Sequence, residues 1–186
     1  MLFTMKRLLL TILAVCYLVP NLALSQAYKT NTGHAEFESS VPLHSFIGTS
    51  DHLVGKISLP DSTVDFYLDL TTLDTGNDKR DKDMRETLET DKYPFAEFYG
   101  KLVTDFKADT STKQKVTVRG EFTIHNVTKD VSISGTIQKK SGGLLIKAGW
   151  TLDMTDYNIR PPGILFYRVE ENIDIQIEAL LEPINS

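Results

Sequence analysis

The sequence predicts an all-β fold of eight antiparallel strands, with one short helix inserted between strands 3 and 4. Three observations carry that prediction. From Tyr28 onward apolar and polar residues alternate with a period of two, so each strand has one face for the core and one for water. Turn-forming residues interrupt the alternation at Pro60-Asp61, residues 108–112, His125-Asn126 and residues 141–143. Residues 73–98, LDTGNDKRDKDMRETLETDKYPFAEF, depart from it with helical spacing.

The strands follow in order. In the first, Ala35 and Phe37 alternate with His34, Glu36 and Glu38. Leu53, Gly55, Ile57 and Leu59 mark the second, and Val64, Phe66, Leu68 and Leu70 the third. After the helix come Ala96, Phe98, Gly100 and Leu102, then Val116, Val118, Gly120, Phe122 and Ile124. Val131, Ile133, Gly135 and Ile137 form the sixth, and Leu144, Ile146, Ala148, Trp150 and Leu152 the seventh. Ile173, Ile175, Ile177, Ala179 and Leu181 end the series. Eight such faces are buried by a sandwich or by a closed up-and-down barrel. The hairpin-like spacing of consecutive strands favours the barrel.

The helix is expected over residues 78–88. Asn77 or Asp78 supplies an N-cap acceptor, and Asp81 stands where a weak capping box would place it. Met84 and Leu88, at i and i+4, share an apolar stripe. Asp81 and Arg85 share another face and are expected to pair in water. Pro94 ends the helical stretch and biases Tyr93 toward extended geometry. An insertion of this kind belongs at an end of the sheet, as a cap with its charges in solvent.

Residues 1–25 read as a secretory signal peptide: Lys6 and Arg7, then an apolar run from Leu8 to Val19, then Ala23-Leu24-Ser25 before Gln26. That leaves residues 26–186 as one domain, periplasmic or secreted, with no membrane span in the mature chain. Cys16, the one cysteine, falls inside the leader. Val15, bulky where a lipoprotein box needs a small residue, argues against lipidation. The full chain carries a net charge of −5, and loss of Lys6 and Arg7 makes it −7. An acidic chain without a basic face has no electrostatic grip on nucleic acid or on anionic lipid headgroups.

Gly55, Gly100, Gly120 and Gly135 sit on the apolar faces of four different strands. Two readings stay open: kinks that let a barrel close, or missing side chains that leave room for a ligand. The remaining inward face is apolar and aromatic. Phe37, Leu53, Ile57, Phe66, Leu68, Phe98, Leu102, Val118, Phe122, Ile133, Ile146, Trp150, Ile175 and Ile177 come from the strands, and Met84 and Leu88 from the helix. Residues 156–168, DYNIRPPGILFYR, are irregular around Pro161-Pro162-Gly163 and offer Phe166 as a plug for one end. With the four glycines, these residues are the candidate binding lining. Such a cavity suits a long hydrocarbon chain better than a sugar or nucleotide; a packed core of the same residues is the competing reading.

Leu73-Asp74-Thr75-Gly76-Asn77 leading to Arg80-Asp81 and Met84, Tyr93-Pro94 through Phe98, and residues 120–129, GEFTIHNVTK, are the most specific pieces of the chain. Together they resemble the YceI-like family of bacterial periplasmic and secreted proteins, over essentially all of residues 26–186. The resemblance implies a lipocalin-like eight-stranded barrel. It implies a pocket for a polyisoprenoid, isoprenoid quinone or similar long-chain lipid, and no catalysis. Two positions depart from the pattern: Asp83 stands where the family often has histidine, and Asn126 where many members have glycine.

Other chemistry finds little support. His34, His44, His52 and His125 have no metal-motif spacing, and neither metal nor cofactor is expected. Residues 74–81 look like a calcium loop but put Lys79 where the loop needs glycine. No G-x-S-x-G nucleophile motif occurs. A hydrolase would have to use His125 or Asp83 without a nucleophile beside them. A packed interaction or stress-response module remains as an alternative, and a homodimer is left open.

Overall fold

The computed structural model describes residues 27–41, 44–107, 110–161, 163–164, 167–168 and 170–184. The proposed leader and Phe166 lie outside the described residues. The barrel strands are β1 (Ala27–Val41), β2 (His44–Ser58), β3 (Thr63–Asp69), β4 (Phe95–Leu102), β5 (Gln114–Ile124), β6 (Val127–Lys140), β7 (Gly143–Asp153) and β10 (Asn172–Pro183). They form one closed antiparallel barrel in the order β1-β10-β7-β6-β5-β4-β3-β2. Neighbours in sequence are neighbours in space except at the closing seam, where β1 pairs with β10, with Phe37 opposite Ile175. The helix α1 (Asp78–Thr87) lies between β3 and β4.

Two strands are longer than their alternation indicates, and the reason is the same for both. β1 and β2 each carry a register shift, between Thr30 and Gly33 on one and between Ser50 and Leu53 on the other. A bulge inserts a residue and flips the phase of alternation. In β2 the inward positions are therefore Gly48 and Ser50 before the shift and Leu53, Gly55 and Ile57 after it. A single period-two pattern sees only the second half.

The segment expected to be irregular contains structure. Met154–Tyr157 form a 3-10 turn, and β8 (Gly163–Ile164) pairs with β9 (Tyr167–Arg168) as a small hairpin outside the barrel sheet. Pro161 precedes that hairpin, so proline delays regular pairing without preventing it. Tyr157 and Ile159 are buried, so the near part of this segment does seal against the barrel.

Three of the four glycines belong to the wall and not to the hollow. The ring of Phe66 lies over Gly55, its cross-strand partner, in the space a side chain would take. Phe37 covers Gly48 in the same way. Gly100 and Gly120 face each other across β4 and β5. A Cβ on Gly120 would collide with the Tyr99 carbonyl and with the Cα of Gly100. Close backbone approach, not room for a ligand, requires glycine there. We expect Gly120→Ala to cost about 2–3 kcal/mol, the upper range for overpacking. The denaturant midpoint reads this directly; an unshifted midpoint would contradict the close approach.

Candidate functional site

The interior holds a cavity of about 1050 Å³, at the top of the usual range for small-ligand sites. Phe37, Leu53, Ile57, Phe66, Leu68, Phe98, Leu102, Val118, Phe122, Ile133, Gly135, Ile146, Trp150, Ile175 and Ile177 line it, with Met84 of α1 and Leu88, its C-cap. Gly55, Gly100 and Gly120 do not line it, for the reasons just given. Phe122 packs edge-on against Trp150 and against Tyr157, at 5.6 and 5.7 Å between ring centroids. These contacts hold the aromatic side of the wall in one arrangement.

The lining extends beyond the residues expected from sequence. Val64, Val116, Ile124, Ile137, Leu152 and Ile173 continue the inward phase of their strands, where the alternation itself marks them. Met154 and Ile159 enter from the 3-10 turn and the loop after it. Phe46 and Ser39 are less obvious. Phe46 lies before the β2 shift, where the alternation is out of phase, and Ser39 is a polar residue at an inward position.

The end beneath α1 is polar. Lys79, Arg80, Asp83, Glu86 and Thr87 also border the cavity. Lys79 and Glu86 are exposed, so the lining reaches the surface here, as it also does at Tyr67 on β3 and Lys147 on β7. Lys79 pairs with Asp83 at 2.7 Å, and Lys82 with Glu86 at 3.7 Å. The Arg80 guanidinium sits 4.5 Å above the ring of Phe46, a cation–π contact.

The sequence 73–81 is a clasp that holds the helix to the wall. Leu73 is buried in the core. Asp74 exchanges both backbone hydrogen bonds with Thr49 of β2, each 2.9 Å, and its carboxylate accepts from the Gly76 N–H at 2.6 Å. Gly76 has φ +69°, a left-handed conformation that favours glycine. Asn77 caps α1, its Oδ1 accepting from the Arg80 N–H at 3.0 Å.

Asp81 closes the clasp, and here the expectation of a solvated pair with Arg85 fails. The residue is only 7% exposed. Its carboxylate accepts from the Thr75 N–H at 2.9 Å and from Thr75 Oγ1 at 2.6 Å. A buried carboxylate needs such donors, and Thr75 supplies both ahead of the helix. Burial pushes the carboxyl up. The two Thr75 hydrogen bonds, with Arg85 and Arg80 nearby, outweigh it and hold the carboxyl below its ordinary value.

The helix ends without glycine. Glu89 takes φ +48°, and the Thr90 and Glu89 N–H groups donate to the carbonyls of Arg85 and Glu86, a Schellman arrangement. His125 and Asp83 are not brought together. The His125 ring lies against the Tyr157 carbonyl at 3.2 Å and edge-on to Tyr93 at 4.9 Å, with Glu89 3.7 Å from Nε2. His125 does not border the cavity, and Asp83 is engaged by Lys79. Among the described residues no group of three or more His, Cys, Asp or Glu is placed to hold a metal, and no helix is long and apolar enough to cross a membrane.

The model of the YceI-like domain family matches residues 28–181. The chain belongs to the YceI-like family. No curated protein matches the sequence. Among solved structures, the YceI-like barrel is similar to a polyisoprenoid binding domain from Saccharophagus degradans implicated in plant cell wall breakdown. That match has a TM-score of 0.73 at 17% identity and covers 86% of this chain and 99% of that one. BcnA of Burkholderia cenocepacia gives 0.65 at 13% identity, over 87% and 98%. The YceI protein of Campylobacter jejuni gives 0.55 at 13%, over 89% and 88%. At these identities the likeness is one of fold.

The buried carboxylate makes a pH-dependent prediction. Asp81→Asn should cost about 1–3 kcal/mol at pH 7, because a donor replaces an acceptor at a buried site. A lowered folded-state pKa stabilises the fold above the ordinary Asp value, about 4. That contribution disappears as pH falls through the folded-state value. The wild type loses it and the variant does not, so their unfolding midpoints should converge in acid. A gap unchanged well below pH 4 would remove the charge from the account.

Proposed function

We propose that this protein is a non-catalytic binding protein for a long-chain apolar lipid, such as a polyisoprenoid or isoprenoid quinone, held along the barrel interior. The observation that carries the reading is a cavity of about 1050 Å³ walled almost entirely by aliphatic and aromatic side chains. Non-directional walls of this kind bind by removing apolar surface from water, at about 0.8 kcal/mol per buried methylene. About ten methylenes thus contribute roughly 8 kcal/mol before the costs of association. Selectivity for tail chemistry is correspondingly weak. The same cavity weighs against a packed interaction module. The polyisoprenoid for which the Saccharophagus domain is named agrees in class with what this wall would accept.

The remaining parts of the reading rest on the sequence. Residues 1–25 have the basic, apolar and small-residue order of an export signal, and export would make the protein periplasmic or secreted. α1 and the clasp then form a cap, with Met84 and Leu88 over the lipid.

The test is to express the full sequence in a bacterium, purify the protein from the periplasm, extract with organic solvent and analyse the extract by mass spectrometry. We expect a long-chain apolar lipid in about stoichiometric amount, and a new N-terminus at Gln26. Lipid-free protein that also ignores added polyprenyl compounds would sink the binding reading. Protein retained in the cytoplasm with Met1 intact would sink the export reading alone.

A further inference from the structure

Among the described residues, one buried polar side chain of the cavity wall is left without a partner. Ser39 follows Ala35 and Phe37 on the inward phase of β1 and borders the cavity. It is 2% exposed, and its Oγ has no hydrogen-bond partner among the described residues. A buried hydroxyl without a partner is destabilising. Such a group in a binding wall is explained if the ligand completes it.

Its surroundings say which ligand atom fits. Ser39 is directly opposite Phe46 in the β1–β2 ladder, and paired residues project to the same face. Phe46 borders the cavity, and the Arg80 guanidinium stacks on its ring at 4.5 Å. Arg80 has no carboxylate within 4.0 Å among the described residues, and the nearby Asp81 carboxylate is spent on Thr75. Arg80 offers donors only, and Ser39 offers one more. Both adjoin Phe46, Ser39 as its ladder partner and Arg80 on its ring, at the α1 end of the cavity. An oxygen acceptor suits these donors, and a guanidinium without a close carboxylate favours a negatively charged one.

We propose that Ser39 and Arg80 form a head-group anchor, so that the ligand is an amphiphile with one long apolar tail and an anionic oxygen head, carboxylate or phosphate. The head sits beneath α1 and the tail runs toward the far end of the barrel. The inference rests on the lipid-binding reading above and narrows its ligand class. It also sets the direction of entry: tail first, with the head the last part to leave solvent.

The test uses matched pairs that share a tail and differ in the head. The protein, stripped of lipid, is titrated with farnesyl phosphate and farnesol, and with palmitate and hexadecanol. The fluorescence of Trp150, the one tryptophan of the chain and part of the cavity wall, is the readout. We expect the anionic member of at least one pair to bind about tenfold more tightly; the pair that shows it identifies phosphate or carboxylate. Ser39→Ala and Arg80→Gln should each bring that preference close to parity. Ser39→Ala should unfold at the same or a higher temperature, since it removes an unpaired buried hydroxyl. Equal affinities for head and alcohol in both pairs would overturn the anchor while leaving lipid binding intact. So would a preference that survives both substitutions. Failure of all four compounds to bind would overturn the anchor together with the binding reading.

Discussion

Closing β1 against β10 fixes the volume that everything else must deal with. An open sheet of these strands could bury its apolar face by flattening onto a partner, and its two edges would remain reactive. Closure removes both edges and turns eight apolar faces toward one axis. Strand number and tilt then set the interior width, and eight strands leave a space that side chains can just fill or that one small ligand can occupy. Here they do not fill it. Phe37 and Phe66 lie back onto Gly48 and Gly55, thickening the wall and not the axis. Ala35, Gly135 and Ala148, all on the lining, reach inward little or not at all. The hollow follows from where the large side chains lie as much as from how many there are.

A hollow apolar barrel needs an end that is closed yet passable. The clasp between Leu73 and Asp81 holds the cover on that end. Its attachments to β2 are backbone hydrogen bonds at Thr49, and its internal lock is the Thr75–Asp81 pair. The helix that follows contributes Met84 and its C-cap Leu88 to the cavity side and pairs its charges along the solvent side. Its charges include exposed ion pairs of little weight, the Arg80 guanidinium on Phe46, and a buried carboxylate held by its Thr75 donors.

Much of this was legible in the residues. Period-two alternation located every barrel strand, because a strand with one wet face writes that period directly into its side chains. The helix and its apolar pair at Met84 and Leu88 followed from spacing. Most of the cavity lining followed from the inward phase. What stayed hidden has specific causes. The bulges at Thr30–Gly33 and Ser50–Leu53 reverse the phase, so Phe46 fell out of the pattern. Asp81 looked like a surface charge because its partner, Thr75, lies six residues back in a loop. The turn at Glu89 uses a left-handed conformation in a residue that does not advertise it. The glycines carried two opposite meanings, and only the position of the neighbouring rings and carbonyls separates them.

The central claim is that the barrel interior is a site for an apolar chain and not an accident of packing. Calorimetric titration of lipid-stripped protein with farnesol at several temperatures tests it most directly. Burial of a tail along the walls predicts saturable one-to-one binding with a negative heat-capacity change. An absence of saturable heat at every temperature, or binding whose enthalpy does not change with temperature, would contradict it.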